Sequence, residues 1–370
     1  VLANLPVNDI DIATTLKPNQ VESICKAEGI KTIAVGKEHG TIIAIVNTYK
    51  YEITTLRRDI STDGRHAIVE YSDDWQEDAL RRDFTINAMS YCPQNRKLYD
   101  YFGGVEDLKN GVVKFVGIPA ERVKEDYLRI LRFFRFYTLC GRNRNIHKAS
   151  LEACANYAKN IKGLSAERKF AELYKILDYE FREDTMQLML DTGVMTHLFE
   201  DNIGDRFLKV LKRLNLLCMK QDKKLNALLK LFVIADSSDI SIKKLAELFH
   251  LSRKDIRYFT GIAQISKTSI KQVQDDMYSF IYKDAAVFLD ALLYISSRDS
   301  GDNSYLIKEA SFYIDKKVVL PISGEDIMNN FHIKPGKRIG EILKYAEEIW
   351  CRSKFTLKKS DIMSSIKDII

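Results

Sequence analysis

Residues 81–88, RRDFTINA, pack two guanidiniums, a carboxylate, a hydroxyl and an amide between apolar anchors. Guanidiniums suit phosphate, a carboxylate can orient one of them, and an amide can meet a sugar hydroxyl. The same run also reads as the start of an amphipathic helix with a solvated charged face. Two more segments carry comparable chemistry. In residues 9–14, DIDIAT, strand alternation projects Asp9 and Asp11 to one side, with Ile10 and Ile12 expected buried behind them. Two carboxylates on one face form a hard-oxygen site suited to Mg²⁺, as phosphoryl transfer requires, although a bare DxD is also a common surface pattern. In residues 125–136, EDYLRILRFFRF, a single helix would set Glu125, Arg129 and Arg132 three or four apart, and Asp126 near Arg129, with Arg135 continuing the row. Leu128, Ile130, Leu131 and Phe134 would pack behind. A carboxylate acceptor beside guanidinium donors can meet the hydrogen-bonding edge of a base, or simply pair within the helix.

These residues need elements to hold them. The chain has 370 residues, more than one core usually serves, and 46% are hydrophobic, so two or more packed domains are expected. Only 17 Gly and 6 Pro favour helices over an all-β fold. The net charge of +6 fits nucleic-acid binding without requiring it. Six widely spaced cysteines, with no CxxC pair, argue against a zinc site or a disulfide framework and for a reducing compartment. No apolar run approaches the roughly 20 residues of a membrane span, and no signal-peptide pattern opens the chain, so a cytoplasmic protein is expected. The six histidines are scattered, with no pair at ligand spacing.

IKTIAVG, TIIAIVNTY and YEITTL, rich in β-branched residues, read as strands. Residues 47–50 look like a hairpin connection, and 19–29 like a helix capped at Gly29. Residues 57–80 are polar and weakly periodic and read as a long mobile loop. Beyond Gly117 the period is helical: 123–139 and 166–177 each carry apolar residues at three- and four-residue spacing.

The three segments, in this order, resemble the class II tRNA nucleotidyltransferases, the CCA-adding enzymes, and their relatives the bacterial poly(A) polymerases. The resemblance runs along the whole chain. It implies an α+β fold: a small polymerase β-like nucleotidyltransferase head over 1–116, followed by an all-helical neck over 117–180 that selects the nucleotide, a body over 181–300 and a tail over 301–370 that binds tRNA. It implies that Asp9 and Asp11 are the catalytic, Mg²⁺-binding pair, with Glu52 a candidate third carboxylate that also reads as an exposed strand residue. Arg82 and Asp83 match positions that organise the nucleotide, and Asn87 a ribose-contacting one. Asp126, Arg129 and Arg132 match the protein edge that chooses CTP or ATP without a nucleic-acid template. GRHAIV, residues 64–69, matches a loop that helps the switch from C to A addition. DYFGGVEDL, residues 100–108, matches the link from head to neck, where Gly103 and Gly104 would suit a hinge. In GLSAERKFAEL, residues 163–173, Ser165 would cap a helix, and Glu167 or Arg168 would brace the neck. In the tail, the PGKRIG turn would present Lys337 and Arg338 to RNA phosphate, or form a solvated basic turn.

The expected reaction is addition of CCA to the 3′ end of tRNA from CTP and ATP. Poly(A) or partial CCA addition shares the motifs. One departure bears on activity. The family carries a Gly-Gly-x-Val-Arg-Asp signature about a dozen residues before its metal pair, and this chain joins the pattern after it. The polypeptide as written is therefore expected to fold in its helical part and bind tRNA but to catalyse poorly, or to be an inactive tRNA-binding remnant.

Overall fold

The computed structural model describes residues 2, 10–34, 40–62, 67–141, 145–299, 301–367 and 369, the side chains of 59–62 and 67–69 excepted. The chain divides into two compact units, Val1–Ile203 and Gly204–Ile370.

The first unit opens on β1 (Asp11–Thr14), α1 (Pro18–Ala27), β2 (Lys31–Ile33), β3 (Thr41–Val46) and β4 (Tyr49–Thr55). The strands form one sheet in the order β1-β4-β3-β2, with β1 parallel to β4 and the other neighbours antiparallel. Asn47, at φ 57°, turns the chain from β3 into β4, where the hairpin is expected. Gly29 takes a left-handed φ of 67° just past α1, and its N–H returns to the Lys26 carbonyl at 3.2 Å. α1 lays Val21 and Cys25 on Ile42 and Ala44, with Ile30 and Ile53 alongside. β1 lies at the edge, outside that cover. Ile10 is 53% exposed and Ile12 40%, so the expected burial behind the carboxylates fails. Alternation decides which side a residue faces; only an overlying element buries it.

Residues 57–80 do not form the expected loop. They contain β5 (Arg57–Thr62), β6 (Ala67–Tyr71) and α2 (Trp75–Leu80). The two strands pair antiparallel, with a register shift between Asp59 and Ser61. Arg58 meets Glu70 across them at 2.6 Å, a charged cross-strand pair. Asp74 caps α2 by accepting the Gln76 N–H at 2.8 Å.

A short 3₁₀ turn (Thr85–Asn87) leads to the hairpin β7 (Met89–Cys92) and β8 (Lys97–Asp100), then to α3 (Gly104–Asn110). The Asp100 carboxylate accepts the N–H groups of Gly104 at 2.8 Å and Val105 at 2.9 Å. A Cβ on Gly104 would stand 2.2 Å from the Thr85 carbonyl oxygen. Gly103 has the left-handed φ expected of it, 76°. Gly104 instead permits close packing, and the Thr85 hydroxyl bonds Asp107 at 2.7 Å across that contact. This clamps the segment rather than hinging it.

α4 (Pro119–Glu125), α5 (Leu128–Cys140), α6 (Lys148–Tyr157), α7 (Ala166–Asp178), α8 (Glu183–Asp191) and α9 (Val194–Phe199) complete the unit. Residues 123–139, expected as one helix, are two. Asp126 breaks them with extended backbone, φ −155° and ψ 110°, and its carboxylate accepts the Leu128 N–H at 3.0 Å. The preference of Asp for bonding nearby backbone outweighs the helical period here. Ser165 stands at the start of α7 with extended backbone, but its hydroxyl makes no capping bond. Phe84 stacks on Phe115 at 4.8 Å and meets Phe136 edge-on at 5.2 Å, while Phe115 stacks on Phe133 at 6.0 Å. Phe84, Phe115 and Phe133 are fully buried, so the octapeptide is riveted to α5 through its aromatic centre.

The second unit is helical throughout its described elements, from Arg206–Met219 to Lys359–Lys367. Its C-terminal part closes on Ile327, Ile342, Trp350, Ile362 and Ile366, with Tyr282 and Phe355 packed against them. The aromatics there are core. The architecture is the expected one, an α+β head continued by helices.

Candidate active site

The described members of the three segments meet around one cleft of about 1340 Å³. Asp11 reaches it from β1, and Arg82, Asp83 and Asn87 from the octapeptide. Asp126 reaches it from the break before α5, and Arg129 and Arg132 from the first turns of that helix. Asp9 lies outside the described residues, as do residues 64–66 of GRHAIV. Glu52 is not on the cleft wall, but the parallel register sets it directly beside Asp11, on the same sheet face.

The cleft-facing groups are held by partners of their own. Asp83, 8% exposed, accepts from Arg132 at 2.6 Å on one oxygen, and from the Phe84 N–H at 3.0 Å and the Asn87 amide at 3.2 Å on the other. Asp83 thus orients Arg132 and Asn87 together. Arg82 donates to Asp78 at 3.4 Å. Arg129 donates to Glu125, to the Arg122 carbonyl at 2.9 Å and to the Arg81 carbonyl at 3.4 Å. Asp126 gives one oxygen to its own helix start and the other to Arg168 at 2.6 Å.

Asp126 and Arg129 therefore line the cleft together, each side chain with partners of its own, joined only by the Arg129 N–H that donates to the Asp126 carbonyl at 3.0 Å. The single helix that would have paired them is absent, and each is fixed from outside the cleft. Such fixation is what selective hydrogen bonding demands, since a ligand then meets donors and acceptors already aimed. Arg168 braces Asp126, as expected of the neck. Arg135 leaves the row: half-buried, it pairs with the buried Glu172 at 2.7 Å.

Burial first, then Tyr99 and Asp74, push the Tyr101 hydroxyl on the cleft wall above the usual phenol range, so it stays protonated. Among the described residues, no group of three or more His, Cys, Asp or Glu converges as a metal site. Asp11 and Glu52, two hard-oxygen donors side by side, are the carboxylates the sheet itself brings together.

In the second unit, Lys337 opens the helix Lys337–Arg352, and both Lys337 and Arg338 are exposed. Arg338 is partly engaged, by Glu341 at 3.5 Å and by the Ile369 carbonyl.

The sequence reading missed several residues of the site. Trp75, Tyr91 and Tyr99 add aromatic surface to the cleft wall, and Arg122 and Asp78 hold its arginines. The β7–β8 hairpin was legible as two alternating runs around Pro93–Arg96. Asp78 stands three and four residues before Arg81 and Arg82, spacing that signals pairing. Arg122 signals only its pairing with Glu125 three residues on; its bonds to the Arg81 and Arg82 carbonyls, about 40 residues away, had no signal.

Family models match two stretches: a poly A polymerase head domain over residues 1–114, and a probable RNA and SrmB-binding site of polymerase A over 145–202. The mitochondrial CCA tRNA nucleotidyltransferase 1 of Mus musculus is 36% identical over 99% of this chain and 84% of its own length. The chain belongs to the CCA tRNA nucleotidyltransferase family. Membership makes it a nucleotidyltransferase. The CCA-adding enzyme of Streptococcus gordonii is 31% identical over 94% of the chain and 85% of its own. The fold agrees with that of the Bacillus stearothermophilus CCA-adding enzyme in complex with CTP, at a TM-score of 0.73 and 21% identity over 100% of this chain and 90% of that one. It agrees also with the Thermotoga maritima CCA-adding enzyme complexed with tRNA, at 0.68 and 20% over 99% and 87%. Among the described residues, no helix is long and apolar enough to cross a membrane.

Proposed function

We propose that the cleft binds CTP and ATP in turn and adds CCA to the 3′ end of tRNA. The observation that carries this reading is the convergence on one cleft of a carboxylate strand, a phosphate-suited arginine segment and a fixed carboxylate–guanidinium edge. The 3′-hydroxyl oxygen bonds to the α-phosphorus as the bond to the bridging oxygen breaks, pyrophosphate leaves, and the hydroxyl proton passes to solvent. Arg82 and Arg132 hold negative phosphate oxygens through charge-assisted bonds. Asn87 meets the ribose, and Asp83 orients both it and Arg132. Asp126 accepts from the amino group of cytosine or adenine, and Arg129 donates to a ring acceptor, so a protein edge stands where a template base would.

Asp11 with Glu52, and Asp9 from the same segment, would hold Mg²⁺, which supplies a lowered hydroxyl pKa and charge neutralisation of the leaving pyrophosphate. Lys337 and Arg338 are proposed to grip tRNA phosphate, a contact that weakens steeply with salt. Six free cysteines support a reducing compartment, here the cytoplasm; fractionation tests it against the mitochondrial compartment named for the mouse relative.

The test incubates tRNA ending before CCA with CTP, ATP and Mg²⁺ and sequences the product ends. CCA ends are expected. Long adenosine tails would make the chain a poly(A) polymerase, CC ends a partial adder, and unchanged ends a tRNA-binding protein.

A further inference from the structure

We propose that Asp78 is a positioning residue that sets Arg82 directly and Arg129 through the Arg81 carbonyl, so that its charge governs triphosphate affinity and base choice together. This rests on the reading of the cleft given above. Asp78 lies near the end of α2, is 4% exposed and does not line the cleft. One carboxylate oxygen accepts the Arg81 Nε–H at 2.8 Å and the backbone N–H of Arg57 at 3.3 Å; the other accepts from Arg82 at 3.4 Å. These bonds fix the side chains of both arginines.

Their backbone carries the second half of the linkage. The Arg81 carbonyl accepts from Arg122 and, at 3.4 Å, from Arg129; the Arg82 carbonyl accepts from Arg122 at 2.9 Å. A single carboxylate thus aims Arg82 at the phosphates and, through the Arg81 peptide group, holds the carbonyl that meets Arg129 beside the base, while Arg122 ties that carbonyl to the one of Arg82. Exposed pairs at this helical spacing contribute little. A carboxylate this buried cannot exchange its guanidiniums for water, so it acts as a constraint. The Arg57 N–H extends the constraint to the first residue of β5, so the stem of the β5–β6 hairpin shares the same anchor.

Three variants test this: Asp78→Asn, which removes the charge but keeps an acceptor; Asp78→Glu, which keeps the charge one methylene farther out; and Asp184→Asn. Asp184 clamps Arg182 away from the cleft at 3.1 Å and serves as a purely structural control. Kd for CTP and for ATP is measured by equilibrium dialysis, and KM, kcat and misaddition from UTP and GTP are measured on tRNA lacking CCA.

In Asp78→Asn, Kd and KM for CTP and ATP should rise about tenfold, kcat should fall less, and misaddition should increase. Asp78→Glu should recover part of each. Asp184→Asn should lower Tm without moving either. Unchanged Kd and base choice in Asp78→Asn, or losses that only track the folded fraction, would overturn the proposal. Should Asp78→Asn not fold, a folded Asp78→Glu with wild-type Kd and discrimination overturns it equally. A wild type that binds CTP but adds nothing would refute the reaction while Kd still judges Asp78; one that binds no nucleotide refutes both.

Discussion

The two walls of the cleft are built in opposite ways. The wall made by the octapeptide and α5 is saturated. Phe84, Phe115 and Phe133 are fully buried, and Asp83, Asp126 and Arg129 each have two or more described partners. The wall made by β1 is bare. Asp11 stands on an edge strand between exposed Ile10 and Ile12, and its neighbour Glu52 is also exposed. The difference fits the two chemistries proposed for the cleft. Choosing a base requires donors and acceptors that cannot move, because discrimination is lost once they adapt. Holding a hard cation requires carboxylates that water and phosphate oxygens can reach.

Replacing groups on each wall breaks or sharpens this contrast. The largest effect should come from the bare wall: Asp11→Ala should lower nucleotide addition by about 10³-fold while leaving tRNA binding and Tm nearly unchanged. Single-turnover CMP addition and a filter-binding titration read the two. Near-normal addition would remove Asp11 from the metal role.

On the saturated wall, Asp126→Ala or Arg129→Ala should reduce discrimination of CTP and ATP from UTP and GTP by about 10–100-fold, with a smaller change in overall affinity. Equal slowing of all four nucleotides would mean that these groups do not read the base.

A third effect concerns how the saturated wall is supported. Gly104→Ala should cost about 1–3 kcal/mol, since the new methyl must displace the Thr85 carbonyl and with it the turn that carries Asn87. Urea denaturation measures it, and a cost near zero would show that α3 yields freely there.

The smallest effect is a pH dependence behind the same wall. His147 bonds Ser150 at 2.8 Å, and the Ser150 hydroxyl also accepts the Phe115 N–H at 3.3 Å. Burial first, then Lys114, lower the His147 pKa from 6.5, with Asp107 opposing. A lowered folded value means that the folded state resists protonation. Its contribution is therefore full above 6.5 and declines as pH falls below 6.5, levelling once the folded imidazole also protonates. His147→Asn should flatten that decline in urea melts between pH 7.5 and 5; an equal decline in variant and wild type would remove His147 as its source.

The cleft was legible where chemistry is local. RRDFTINA, DIDIAT and EDYLR each carry their functional groups within a few residues, and Arg82, Asp83, Asn87, Asp126, Arg129, Arg132 and Asp11 all line the one cleft. The hairpin within residues 57–80 was not legible, because a cross-strand pair such as Arg58 with Glu70 resembles two loop residues when each is read singly.

Composition and period by themselves determined an α+β head followed by helices, since β-branched runs and three-to-four spacing are properties of neighbouring residues. The break at Asp126 turned on a competition that periodicity does not weigh, a carboxylate bonding a backbone N–H two residues on rather than a side chain on the next turn. Tertiary structure alone decided that Ile10 and Ile12 would both stay uncovered, because burial depends on what packs above a strand. It alone decided that Arg132 meets Asp83 and that Arg129 meets the Arg81 carbonyl, because neither pairing is local in the sequence. It also set Glu52 beside Asp11, because the register between β1 and β4 comes from strands about 40 residues apart in the chain.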